Sequence, residues 1–212
     1  MRTLTRTVVA GTLSLALAGC VSLLPKTKPV QLLRFGGSAS ASAAASQTAP
    51  NATFGVLKSP TGFVRAAAGD QILTVSPGGK AAYIGDARWV SPAAILFDEA
   101  LERAFDAKSG PARLISHGEA GKAELTLKLD VRAFEVDYTR GPKSIPTVKV
   151  EVRALMSQNR DRTVISDQLF AVSVPAGDDR VGAIAEAFDS ATAQALGQVI
   201  AAVNNARAAA AR

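Results

Sequence analysis

The chain has 212 residues, 48% of them hydrophobic, and its 24 Lys and Arg against 18 Asp and Glu give a formal charge of +6. The basic residues are spread along the chain rather than gathered on one stretch, which argues against a nucleic-acid footprint. One Cys rules out an internal disulfide, and one His with no neighbouring ligands argues against a zinc or iron site.

Residues 1–19 have the order of a secretory signal peptide: Arg2 and Arg6, an apolar run from Val8 to Leu17, then the small residues Ala18 and Gly19. The apolar run is too short to cross a bilayer, which takes about 20 residues, so removal is expected, with a fall in formal charge to +4. The single Cys20 follows at once. Leu17-Ala18-Gly19-Cys20 resembles the bacterial lipobox, in which the thiol receives diacylglycerol and the chain is cut just before it.

Residues 20–29, with two prolines and two lysines, read as a lipidated tether, and "VQLLRF" from Val30 as a first strand. Gly36 to Ala52 holds almost no bulky apolar residue and reads as a mobile low-complexity insert. Either the domain starts near Asn51, or Val30–Phe35 pairs into the sheet and the stretch is an insertion; the second reading is preferred, giving a domain over 30–206 and a disordered tail over 207–212.

"TFGVLKS", "QILTVS" and "AAYIGDARWV" read as short strands. Ser91-Pro92 opens a helix, with Ser91 as N-cap, and Ala94, Phe97, Leu101, Ala104 and Phe105 make its apolar face until Gly110-Pro111 stops it. "ARLIS" is a further strand. In "AELTLKLDVRA" the apolar residues alternate strictly from Ala123 to Ala133, then change phase at Phe134, Val136 and Tyr138. This predicts a bulge near residues 132–134. An alternating segment, Val148–Met156, and a less cleanly alternating one, Val164–Val174, complete an antiparallel meander.

A final helix of about 25 residues carries Val181, Ile184, Phe188, Ala191, Ala195, Leu196, Val199 and Val203 on one side. The pattern defines a single α+β domain, a mainly antiparallel sheet with two amphipathic helices on one face.

Candidate chemistry is sparse. His117 reads as a solvated loop residue, and no G-x-S-x-G elbow accompanies it. "SPGGK", residues 76–80, lacks phosphate-loop spacing and reads as a hairpin turn, so no cofactor is expected. Asp98 and Glu102, four apart, read with Arg103 as a solvated helix face. Lys128, Asp130, Arg132, Lys149, Glu151 and Arg153 read as a mixed-sign wet face. Arg88-Trp89, ahead of the first helix, is a core motif or a partner motif.

The lipobox, "GDARWVSP", the long "LTLKLDVRAFEVDY" strand and the "AFDSATAQALGQVI" helix together resemble the ABC-type transport auxiliary lipoproteins, PqiC-like proteins, over about Gln31 to Val203. The insert at 36–52 departs from the family pattern. The resemblance implies a non-catalytic, periplasm-facing accessory of a lipid transport system, with an MCE-domain protein and ABC permease and ATPase components as partners. It further implies Cys20 as the point of membrane anchorage, Arg88 and Trp89 as matching positions, and self-association left open. Residue 21 is valine rather than the aspartate that retains such proteins at the inner membrane of enteric bacteria, which implies the outer membrane. A general envelope scaffold binding protein or peptidoglycan is the alternative.

Overall fold

The computed structural model describes residues 29–37, 52–107, 110–116, 118–141 and 144–210. In chain order these form β1 (Gln31–Leu33), β2 (Phe54–Lys58), β3 (Gly62–Phe63), β4 (Gln71–Ser76), β5 (Lys80–Trp89), α1 (Ala93–Ala107), β6 (Ala112–Ile115), β7 (Ala123–Asp137), β8 (Thr147–Gln158), β9 (Val164–Pro175) and α2 (Val181–Ala210).

The fold is organised on β7. One edge of this 15-residue strand pairs antiparallel with β8 from Leu125↔Gln158 to Asp137↔Thr147, and β8 pairs antiparallel with β9. The other edge carries β2, β3 and β4 in succession, all parallel to β7, ending at Val75↔Asp137. Those three short strands run as one interrupted strand along β7. Outside them lie β6, parallel to β2, and the β4–β5 hairpin, to whose outer strand β1 adds in parallel. The sheet is therefore mixed, with its antiparallel part concentrated in the meander that the alternation pattern identifies. Short segments such as "GVLK" carry too little pattern to choose a partner or a direction.

The register of β7 against β8 shifts between Val131 and Ala133, at the predicted phase change. An extra residue in one strand lets the following side chains keep the same facing. Leu125, Leu127, Leu129 and Val131 before the shift, and Phe134 and Val136 after it, are all buried. Phe134 thereby enters an aromatic cluster: its ring centroid lies 5.0 Å from Phe35, 5.4 Å from Phe63, 4.7 Å from Phe188 and 6.3 Å from Trp89. These residues come from β7, the end of β1, β3, α2 and β5, so one side chain joins five parts of the chain.

Both helices join the core through the stripes their spacing predicts: Phe97, Leu101 and Phe105 of α1, and Ile184, Phe188, Ala191, Ala195, Leu196, Val199 and Val203 of α2, are buried. The cap of α1 differs from the expected Ser91 hydroxyl. Its first amides, Ala93 and Ala94, donate instead to the carbonyls of Gly69 (2.9 Å) and Ala68 (3.3 Å), so the loop before β4 caps the helix.

Two expectations about ends are corrected. Helix α2 continues to Ala210, through residues expected to form a disordered tail, because the alanines favour helix and Arg207 pairs with Glu124 at 2.8 Å and lies 5.8 Å from the centre of the Phe54 ring. Gly36 and Gly37, expected in a mobile insert, are pinned: their amides donate to Asp189 at 2.6 and 3.0 Å, and Arg103 donates to the Gly36 carbonyl at 3.1 Å. Gly36 has φ +75°, and a Cβ there would stand 2.7 Å from that of Ala100, so only glycine lets the chain leave β1 this close to α1. The rest of the insert, residues 38–51, lies outside the described residues.

Truncation at the centre of this cluster leaves a large cavity, and Phe134→Ala is expected to cost about 3–5 kcal/mol. Urea unfolding followed at Trp89 measures it; an unchanged midpoint would contradict the arrangement.

Candidate functional site

Cys20 and His117 lie outside the described residues. The other positions singled out in the sequence fall in separate places, and most have a local structural partner.

Trp89 ends β5 with 2% of its surface exposed, edge-on to Phe35 at 4.9 Å and to Phe188 at 5.1 Å. Its backbone amide donates to the Asp70 carbonyl at 2.8 Å, and the adjacent Arg88 guanidinium donates to the Asp70 carboxylate at 3.1 Å. Arg88-Trp89 thus clasps the loop whose carbonyls cap α1. The indole is inside the core and offers no surface to a partner.

Asp98 and Glu102 are not a free solvated face. Lys58 of β2, with only 13% of its side chain exposed, lies 3.0 Å from Asp98 and 3.4 Å from Glu102. The Thr61 hydroxyl donates to Asp98 at 2.6 Å and the Ser116 hydroxyl to Glu102 at 3.3 Å. The two carboxylates stitch α1 to β2 and to the end of β6. Spacing on one helix could not show this, because Lys58 arrives from 40 or more residues away in the chain.

"SPGGK" is the exposed turn between β4 and β5, with Gly78 at φ +77° and Gly79 at φ +73°. These values suit glycine in a tight hairpin.

The sheet face opposite the helices is charged and mostly self-paired: Arg132 with Asp130, Lys149 with Asp137, and Arg153 with Asp167 on the neighbouring strand. One pair is more than surface decoration. Asp137 keeps 10% of its side chain exposed. Burial works against its charge, but Lys149 and the Thr139 backbone and side chain hold the carboxyl at about 2. Neighbouring Glu135 moves the other way, raised chiefly by burial and further by Asp137 and Glu151 against the pull of Lys149.

A depressed carboxyl pKa contributes stability above the unfolded value, about 3.9, that is lost as pH falls through the folded one. Asp137→Asn is therefore expected to lower stability at pH 7 by roughly 1–2 kcal/mol, less than the full linkage because Lys149 is 39% exposed. The difference from the parent chain should shrink between pH 5 and about 2, read from urea midpoints across that range; a difference independent of pH would contradict the pairing.

An open cleft of about 930 Å³ lies where α2 begins, bordered by Gln31, Asp86, Tyr138, Asp178, Asp179 and Glu186. Asp178 accepts from the Arg180 amide (2.8 Å) and guanidinium (2.7 Å), and the acids stand at the positive end of the helix dipole. The cleft is electronegative and presents no nucleophile beside a base. Among the described residues no group of three His, Cys, Asp or Glu side chains could hold a metal, and no helix is long and apolar enough to cross a membrane.

The architecture is that of several solved structures. A Xanthomonas campestris protein of the DUF330 family shares it with a TM-score of 0.68 at 21% identity, over 87% of this chain and 96% of that one. An uncharacterized protein matches with a TM-score of 0.64 at 12% identity, over 83% and 99%. A hypothetical protein of Chlamydia trachomatis matches with a TM-score of 0.50 at 12% identity, over 72% and 96%. No curated protein matches the chain.

These likenesses define the class as a single α+β domain on a mixed sheet. Within that class the sequence itself decides the family: residues 38–200 match the model of the ABC-type transport auxiliary lipoprotein component, and the chain belongs to that family.

Proposed function

We propose that this protein is a lipid-anchored, non-catalytic accessory of an MCE-type ABC lipid transport system, held at the outer membrane through Cys20 and facing the periplasm. The observation that carries the reading is the family membership combined with "LALAGC" at residues 15–20, where the chain's one cysteine closes a lipobox behind a signal-like segment.

The mechanism is positional. One acyl chain binds a bilayer weakly and reversibly, whereas the two or three of a mature lipoprotein anchor it stably. Residues 21–29 then hold the domain within about 30 Å of the leaflet, at 3.3–3.6 Å per residue when extended. Confined there, even a weak docking surface works at a high effective concentration against components spanning the periplasm. The domain supplies a stiff body for that docking, its sheet sealed by two helices.

Affinity capture of the full-length tagged protein from cross-linked envelopes tests the reading. Recovery of an ATPase, a permease and an MCE-domain protein is expected, with loss of all three from Cys20→Ala. Recovery of none of them, with an unchanged outer-membrane barrier on deletion of the gene, would overturn it in favour of a general envelope scaffold.

A further inference from the structure

The exposed large apolar residues are not evenly spread. Val30 (44% exposed) and Leu32 (67%) lie at and just before β1, and Val90 (50%) directly follows β5. Leu32 sits in register with Arg88, and the Val90 amide donates to the Leu33 carbonyl at 2.9 Å, so the three residues occupy one corner. Ile95 of α1 (50%) is one turn from Glu99, which pairs with Arg34 at 2.8 Å just past β1, and extends the corner onto the helix. Single exposed aliphatics are ordinary, but a contiguous set marks a contact surface.

The chain itself indicates what covers this corner. Val30 is where the tether joins the domain, with nine residues between it and Cys20. We infer that the corner formed by Val30, Leu32, Val90 and Ile95 rests on the phospholipid surface, inserting these side chains at the boundary between headgroups and acyl chains. The inference builds on the lipidation of Cys20 proposed above.

Among the described residues, the charges around the corner fit an apolar contact rather than an electrostatic one. Arg34 is paired with Glu99 and Arg88 with Asp70, so neither cation is free for anionic headgroups. Asp86 and the acids at the start of α2 border the cleft beside Gln31, and would oppose attraction to an anionic leaflet. The contact should therefore form on zwitterionic lipid and resist salt, which screens charge but not apolar burial. Anchoring makes a small patch sufficient, since a tethered surface meets the membrane at an effective concentration that free protein would not reach. The consequence is a fixed orientation: β1 and the start of α1 face the lipid, and β9, on the far side of β7, faces away.

The test uses full-length lipidated protein in phosphatidylcholine vesicles, with and without phosphatidylglycerol. Leu32→Cys, Val90→Cys and, as the distant control, Leu169→Cys each carry one environment-sensitive dye, because lipidation blocks the thiol of Cys20. Lipids bearing a quencher at the headgroup boundary report contact. Several-fold stronger quenching at 32 and 90 than at 169, unchanged by high salt, is expected. Protein that floats with the vesicles but is quenched equally at all positions, or at none, would overturn the proposal alone. Protein that does not float would overturn the lipidation reading and this proposal with it.

Discussion

A single extra residue in β7 decides which face Phe134 occupies, and most of the fold hangs on that choice. Up to Val131 the odd-numbered residues face the helices; without the register shift before Ala133, Phe134 and Val136 would point to solvent and Glu135 into the core. With it, Phe134 meets rings from β3, β5, α2 and the turn just past β1, and Glu135 joins Asp137, Lys149 and Glu151 on the outer face. Aromatic pairs of this kind add about 0.5–1.5 kcal/mol each beyond the area they bury. The bulge thus couples core packing to surface electrostatics.

The same strand explains how the N-terminal part of the chain is held. Three parallel segments lie along one edge of β7, too short to be stable alone, and polar links fix the elements around them: Lys58 to Asp98 and Glu102, Arg88 to Asp70, and Asp189 to the amides of Gly36 and Gly37. Phe35, fully buried next to Gly36, draws β1 into the core. Residues 31–37 are therefore part of the folded body, even though the family match begins only at residue 38.

Long alternating segments, strict in β7 and β8 and looser in β9, made the meander and the bulge legible from sequence, because a two-residue period over a dozen positions has one physical reading. The amphipathic faces of α1 and α2 were legible for the same reason. What sequence could not supply was long-range choice. The parallel pairings of β2, β3, β4 and β6 depend on which edge of β7 is free, and the Asp98–Glu102 pair looked solvated because its cation comes from β2. Trp89 could be read as core or partner motif until Phe35 and Phe188 closed over it. The proposal for Cys20 is the reverse case, since it rests on a local resemblance to a lipobox, a signal of position and not of a three-dimensional site.

The most direct measurement is the intact mass of the protein recovered from the membranes of a Gram-negative host. The expected product is a chain lacking residues 1–19 and carrying diacylglycerol on Cys20, with or without a further acyl chain on its amino group. An unmodified Cys20, or a mature chain that starts elsewhere, would contradict that expectation.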